Sequence, residues 1–414
     1  MPYRRWPILA AAVLLVGAAP AAALDWQRFS GTTVTLELPE HPASDGIRRF
    51  LSEFETLTGI RVAPGGDGAD IRLLPLEAEA FGRWRSGAFL PLGPYLDDPD
   101  LTAADYAPGD FDARARLMDD ALPVALETTL LFYNHHLVGA HLMAGLPPST
   151  YHLVDAATLI RERSAGEAEG AVMAGSPSPA TVATATALVI NACGPELPAG
   201  IWFDAGLSMP RVTEPCIATG LAQYAGLLQA GPPGLEERDL AEAARFFREG
   251  RAGFFIGPSS FGPSFEDEAH SAVAGAVGYA LLPPIASGRR SQSGHRVWAL
   301  AIDAGTAEPE AAWYLVQWLT SPAIEPLIAT SHGAAPRRGS LDDSGYGSAL
   351  HPEFAWIVQE SLAGSRSTIV DHERWPAMAE AIVRAIHAMH GATSREEAAA
   401  ALELRLAELL DEAG

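Results

Sequence analysis

The stretch from Asp239 to Pro284, DLAEAARFFREGRAGFFIGPSSFGPSFEDEAHSAVAGAVGYALLPP, permits few folds. Asp239 is placed to cap a helix, and Glu242 three residues on can return the bond. Leu240, Ala243, Ala244 and Phe247 then fall on one face. Gly250 stands where a helix wants a left-handed terminal residue. Ala252 to Ile256 reads as a buried strand, followed by a Gly-Pro-Ser-Ser-Phe loop (Gly257 to Phe261). This order delivers two hydroxyls and a ring to the end of a strand, which is where open α/β sheets bind small ligands.

The same alternation recurs from the start of the folded chain. Thr32 to Leu38 reads as a strand running into a polar loop, Pro39 to Ser44. Ile47, Phe50, Leu51 and Phe54 give the next helix its apolar stripe, and Asp45 is expected to cap it. That helix stops at Gly59. Ile60 to Val62 and Asp70 to Leu74 read as further strands, so the sheet should be parallel α/β. Leu122 to Asn134 is a long extended segment suited to crossing between lobes. Val297 to Ile302 is another strand, Glu310 to Leu319 a helix, and Ser394 to Ala413 an amphipathic terminal helix. The 414 residues suffice for two or three domains.

The first residues are of a different kind. Arg4 and Arg5 precede an apolar run, Ile8 to Val16, that is short for a membrane span, and Ala21-Ala22-Ala23 offers a cleavage site. Residues 1–23 therefore read as a secretory signal, with a mature chain outside the cytoplasmic membrane. No cysteine lies near that site, so a lipid anchor there is not expected. The net charge of −23 opposes binding to nucleic acid phosphates. Lysine is absent, which excludes a Walker phosphate loop, a pyridoxal Schiff base and a Ser-Lys nucleophile. The two cysteines, Cys193 and Cys216, suit one disulfide in an oxidising compartment; two buried thiols are the other reading.

Several segments, in order, resemble the family 1 extracellular solute-binding proteins of ABC importers. They are FLSEFETLTGIRV (Phe50 to Val62), GAFLPLGPYLDDPDL (Gly87 to Leu101), LPVALETTLLFYNHHL (Leu122 to Leu137) with AGLPPSTY (Ala144 to Tyr151), and AARFFREGRAGFFIG with its loop. GHRVWALAI (Gly294 to Ile302), EAAWYLVQWLTS and SHGAAPRRGS (Ser331 to Ser340) complete the set. The resemblance is greatest to the polyol and monosaccharide branch. It implies a two-lobed α/β periplasmic binding protein fold, with an interlobe cleft and hinge crossovers. One lobe would take 24–131 plus about 296–340, the other 132–295 plus about 341–414. It also implies capture of a sugar or polyol, delivery to an ABC permease in the inner membrane, a periplasmic monomer, and neither cofactor nor metal. Two departures stand out. Only APGGDGA separates Val62 from Asp70, so a helix the family usually carries there is missing. Tyr151 occupies a position where the family usually has Trp.

Sugars and polyols need rings to cover their C–H faces and planar polar groups to pair with their hydroxyls. On that ground Trp298, Phe261 with Ser259 and Ser260, His41, Tyr151, Trp202 and Arg337 are the candidate ligand contacts, with Arg338 an alternative to Arg337. Catalytic residues are not expected. There is no Gly-x-Ser-x-Gly elbow and no His-Glu-x-x-His. Two other roles stay open: a repurposed binding protein that serves a sensor or a periplasmic partner, and an extracytoplasmic glycoside hydrolase, for which no particular carboxylate pair stands out.

Overall fold

The computed structural model describes residues 24–142, 145–197, 200–286, 288–340, 344–391 and 393–412. The signal segment, 1–23, lies outside the described residues. Among those described, nine strands occur: β1 (Thr33–Glu37), β2 (Arg61–Pro64), β3 (Ile71–Pro75), β4 (Ala121–Asn134), β5 (Glu169–Val172), β6 (Ala252–Pro258), β7 (Val277–Ala280), β8 (Ser293–Ile302) and β9 (Ser365–Ser367). They run in the order β2-β1-β3-β8-β4-β6-β5, with β7 paired to β4 and β9 to β8.

β4 is the strand that joins the two lobes. Its first half, Ala121 to Thr128, pairs antiparallel with β8. Its second half, Thr129 to Tyr133, pairs antiparallel with β6. All fourteen of its residues are buried, as its apolar composition requires. One core gathers Val34, Ile47, Phe54, Ile71, Trp313 and Leu315 beneath the first half of the sheet. Another gathers Leu153, Val189, Trp202, Tyr224, Phe254 and Ile382 beneath the second half. Helices flank both halves, and the fold is a two-lobed α/β architecture.

The local signals in the sequence act much as read. Asp239 and Glu242 form a reciprocal capping box on the helix Leu240–Arg248, and Gly250 follows with φ at 76°. Gly59 ends the first helix, Pro42–Thr58, at φ 69°, a conformation that a side chain would disfavour. The capping expectation for Asp45 was wrong. The first helix begins at Pro42, so His41 takes the cap and its ring accepts the Ala43 N–H. Asp45, a turn further in, pairs with Arg48 on the surface.

The missing helix is replaced by the loop from Gly65 to Asp70. β2 and β3 lie on opposite sides of β1 and both run parallel to it. β2 ends opposite Leu36 and β3 begins opposite Leu36, so the chain has only to step over one strand. A Cβ on Gly65 would meet Ala69 Cβ at 2.5 Å and the Leu36 backbone at 3.1 Å, so the crossing needs glycine there. Asp70 fastens the loop: its carboxylate accepts from Thr35 N–H (2.8 Å), Thr35 O–H (2.6 Å) and Thr306 O–H (2.6 Å). Burial opposes ionisation of Asp70, but these hydrogen bonds outweigh it and lower its pKa. Asp70→Ala is expected to destabilise the protein by about 1–3 kcal/mol in urea unfolding, because Thr35 and Thr306 then lose their acceptor.

Cys193 and Cys216 are joined by a disulfide, with Cα atoms 4.8 Å apart. It ties the end of the helix Pro179–Cys193 to the start of the helix Pro215–Gln229. For a loop of this length the chain-entropy contribution is about 3 kcal/mol.

Candidate functional site

Glu127 sits where β4 leaves one lobe for the other, and it is 2% exposed. A carboxylate this dry is tolerated only when its lone pairs are filled. Oε2 accepts from the Ser260 hydroxyl at 2.7 Å and from His41 Nε2 at 3.3 Å. Oε1 accepts from Trp298 Nε1 at 3.0 Å and lies 3.8 Å from Arg296 Nη1. Burial pushes the Glu127 carboxyl up, but His41, Arg296 and Ser260 prevail and hold it at about 2. At neutral pH it is an anion that only accepts hydrogen bonds, which suits it to bind hydroxyls and leaves it poor at donating protons.

Each donor arrives from a different element for a local reason. His41 ends the loop after β1, and its Nδ1 is engaged by Ala43 N–H at 3.2 Å. The ring proton therefore resides on Nε2, facing Glu127. Trp298 and Arg296 project from β8, which pairs with β4 through Arg296 opposite Glu127. The His41 ring stacks on Trp298 with centroids 4.1 Å apart. Ser260 comes from the loop that follows β6, and Thr128 N–H donates to Ser259 Oγ at 3.2 Å. His41, Trp298 and Arg296 belong with the first half of the sheet, Ser259 and Ser260 with the second. Glu127 is thus held from both lobes at once.

Two cavities flank this buried cluster. The first, about 430 Å³, lies between the amino ends of the first helix and of the helix Leu240–Arg248; its lining includes Glu40, His41, Asp239, Glu242, Phe261 and Ser331. The second, about 160 Å³, is lined by Glu77, Glu79, Pro179, Thr368 and Trp375 among others. Arg296 connects the two regions, since its guanidinium donates to Glu77 while also facing Glu127.

Five of the eight ligand candidates read from sequence therefore meet at the junction: His41, Ser259, Ser260, Phe261 and Trp298. The other three do not. Trp202 is wholly buried in the second core, its indole N–H on Thr186 Oγ1 at 3.2 Å, because it packs beneath the helix Pro179–Cys193. Arg337 is a buried structural arginine that donates to the Ala107 and Thr320 carbonyls and lies over the Phe111 ring at 4.0 Å. Its neighbour Arg338 is exposed and donates to the Gly109 carbonyl. Tyr151 stands 52% exposed on the helix Thr150–Arg163. Sequence reasoning missed Glu127 and Arg296 at the junction. A signal for both existed: each is a lone charge inside an apolar strand, and such a charge requires partners.

A profile described as bacterial extracellular solute-binding protein matches residues 17–326. A mannitol-binding protein of Pseudomonas aeruginosa is 31% identical over 138 residues, which span 33% of this chain and 31% of the relative's length. Among solved structures, an ABC transporter solute-binding protein of Agrobacterium vitis S4 with bound D-mannitol superposes with a TM-score of 0.77 at 21% identity, covering 93% of this chain and 99% of that one. A counterpart from Agrobacterium radiobacter K84 in complex with ribitol gives 0.75 at 22% identity, covering 92% and 99%.

Proposed function

This chain belongs to the bacterial extracellular solute-binding protein family, and on that premise we propose that it captures a small polyol or monosaccharide between its lobes. The single observation that carries this reading is the buried Glu127 carboxylate, held by donors from both lobes beside the stacked His41 and Trp298 rings. A ligand hydroxyl can take the place of Ser260 or His41 on that carboxylate, while the rings cover a C–H face. The lobe boundaries read from sequence, 24–131 with about 296–340 and 132–295 with about 341–414, are supported near residue 131 by the change of partners along β4. On this reading the lobes close by bending at the crossover strands, as hinge proteins do. The chain works as a periplasmic monomer, carries out no covalent chemistry, and delivers its ligand to an ABC permease. Ligand preference follows the relatives: D-mannitol and ribitol are the first compounds to try.

Isothermal calorimetry on the folded mature chain against polyols, monosaccharides and disaccharides tests this. Saturable binding of at least one polyol or monosaccharide is expected, with negative heat-capacity change from ring burial. Silence across the panel contradicts it. The loop that replaces the family's helix favours a second reading, in which the same ligand site serves a sensor or another periplasmic protein and not a permease. Ligand-dependent co-purification with a permease separates the two.

A further inference from the structure

His332 carries a hydrogen-bond donor that no group among the described residues uses. Its side chain is 0% exposed. Its Nδ1 accepts the Ala334 N–H at 3.2 Å, which leaves the ring proton on Nε2. That Nε2–H has no partner among the described residues. Buried donors are rarely left so, because an orphaned N–H loses its hydration without compensation.

The place of this orphan gives it a meaning. The segment 332–334 lies against β4 beside the junction: the Leu126 N–H, one residue before Glu127, donates to the Ala334 carbonyl at 2.8 Å. Ser331, one residue earlier, lines the interlobe cavity together with His41, and its hydroxyl lies 3.3 Å from the Pro42 carbonyl. His41 and His332 are built alike. Each ring turns Nδ1 to the N–H two residues on, and so presents Nε2–H. His41 has found Glu127; His332 has found nothing. Burial and the neighbouring His41 keep the His332 ring neutral at ordinary pH, with Glu127 opposing only in part, so the Nε2–H is a fixed single donor.

We propose that His332 is a further ligand-binding residue of the junction, whose Nε2–H donates to a hydroxyl oxygen of the bound polyol or monosaccharide. The inference rests on the ligand reading of the junction given above. Together with Glu127 it supplies one donor and one acceptor, the pair of roles a hydroxyl group fills. A ligand lacking that hydroxyl leaves two buried groups unpaired and is rejected for that reason.

The test compares two substitutions that divide the ring's two functions. His332→Asn keeps an acceptor near Nδ1 and loses the Nε2 donor. His332→Gln places an amide N–H near the Nε2 position and loses the Nδ1 acceptor. D-mannitol and ribitol affinities are measured by calorimetry, and thermal melts are recorded without polyol. The expected result is that His332→Asn weakens polyol binding at least tenfold while its ligand-free melt stays near that of the wild type. His332→Gln should retain more affinity yet melt lower. Equal affinity of His332→Asn and wild type overturns the inference, as does an affinity loss that merely follows the melting temperature in both variants. A wild-type protein that binds neither polyol nor any monosaccharide overturns the functional reading itself, a result distinguishable from the other two.

Discussion

Glu127→Ala is expected to weaken polyol binding strongly and to destabilise the ligand-free fold by about 3–5 kcal/mol, the range seen when one member of a buried charged cluster is removed. The substitution strands four donors: Ser260 and His41 on one oxygen, Trp298 and Arg296 on the other. Arg296 suffers most, because it stays charged and buried with Glu77 as its remaining partner. The binding loss should be roughly 2–5 kcal/mol, thirtyfold or more in affinity. Glu127→Gln should fall between. Its amide keeps one acceptor oxygen but turns an N–H₂ toward groups of which only the Ser260 hydroxyl can reverse its role. Calorimetry and urea unfolding of the three proteins give both quantities. Full affinity in Glu127→Ala would mean that the polyol binds elsewhere.

Acidification is expected to weaken the fold from about pH 6.5 downward, earlier than carboxylate protonation alone would do. Burial and the nearby Arg114 hold His295 at about 4, with Asp112 opposing, and burial with His41 holds His332 at about 3. Both folded-state values lie below the unfolded value of 6.5. The unfolded chain therefore takes up two protons that the native protein refuses, and stability falls as pH drops from 6.5 toward 4 and 3. Each histidine accounts for on the order of 3–5 kcal/mol across that window. Glu127 acts lower down: its contribution is complete above about 4.5 and disappears as pH falls toward about 2. Urea unfolding at pH 7.5, 6, 5 and 4 should show a continuous decline. His295→Asn or His332→Asn should each flatten part of it. A stability constant between pH 7.5 and 5 contradicts this account.

Local order was legible where one residue type has one physical use. The capping box at Asp239, the left-handed glycines at 59 and 250, and the apolar run of β4 are of that kind. Errors arose where two neighbouring residues compete for one role. Asp45 and His41 both suit a helix cap, and the helix start at Pro42 decided between them through proline's fixed φ. The short strands β5, β7 and β9 left no periodic trace, since three or four residues cannot establish a period.

The site was legible only in part, for a different reason. Ser259, Ser260 and Phe261 follow a strand and so lie at a sheet edge by local geometry alone. Trp202 and Arg337 carry the same chemistry as real junction residues, and only packing 16 or more residues away places them in a core. Glu127 was readable in principle as one carboxylate within fourteen buried positions, but its partners lie 86, 133 and 171 residues distant.

A crystal structure of the protein with D-mannitol, or with whichever polyol binds best in the calorimetric panel, measures the central claim most directly. The account predicts a polyol lying between the lobes, with its hydroxyls on Glu127 and its carbon face against Trp298. A polyol bound away from the junction, with the Ser260 and His41 hydrogen bonds to Glu127 still in place, would contradict it.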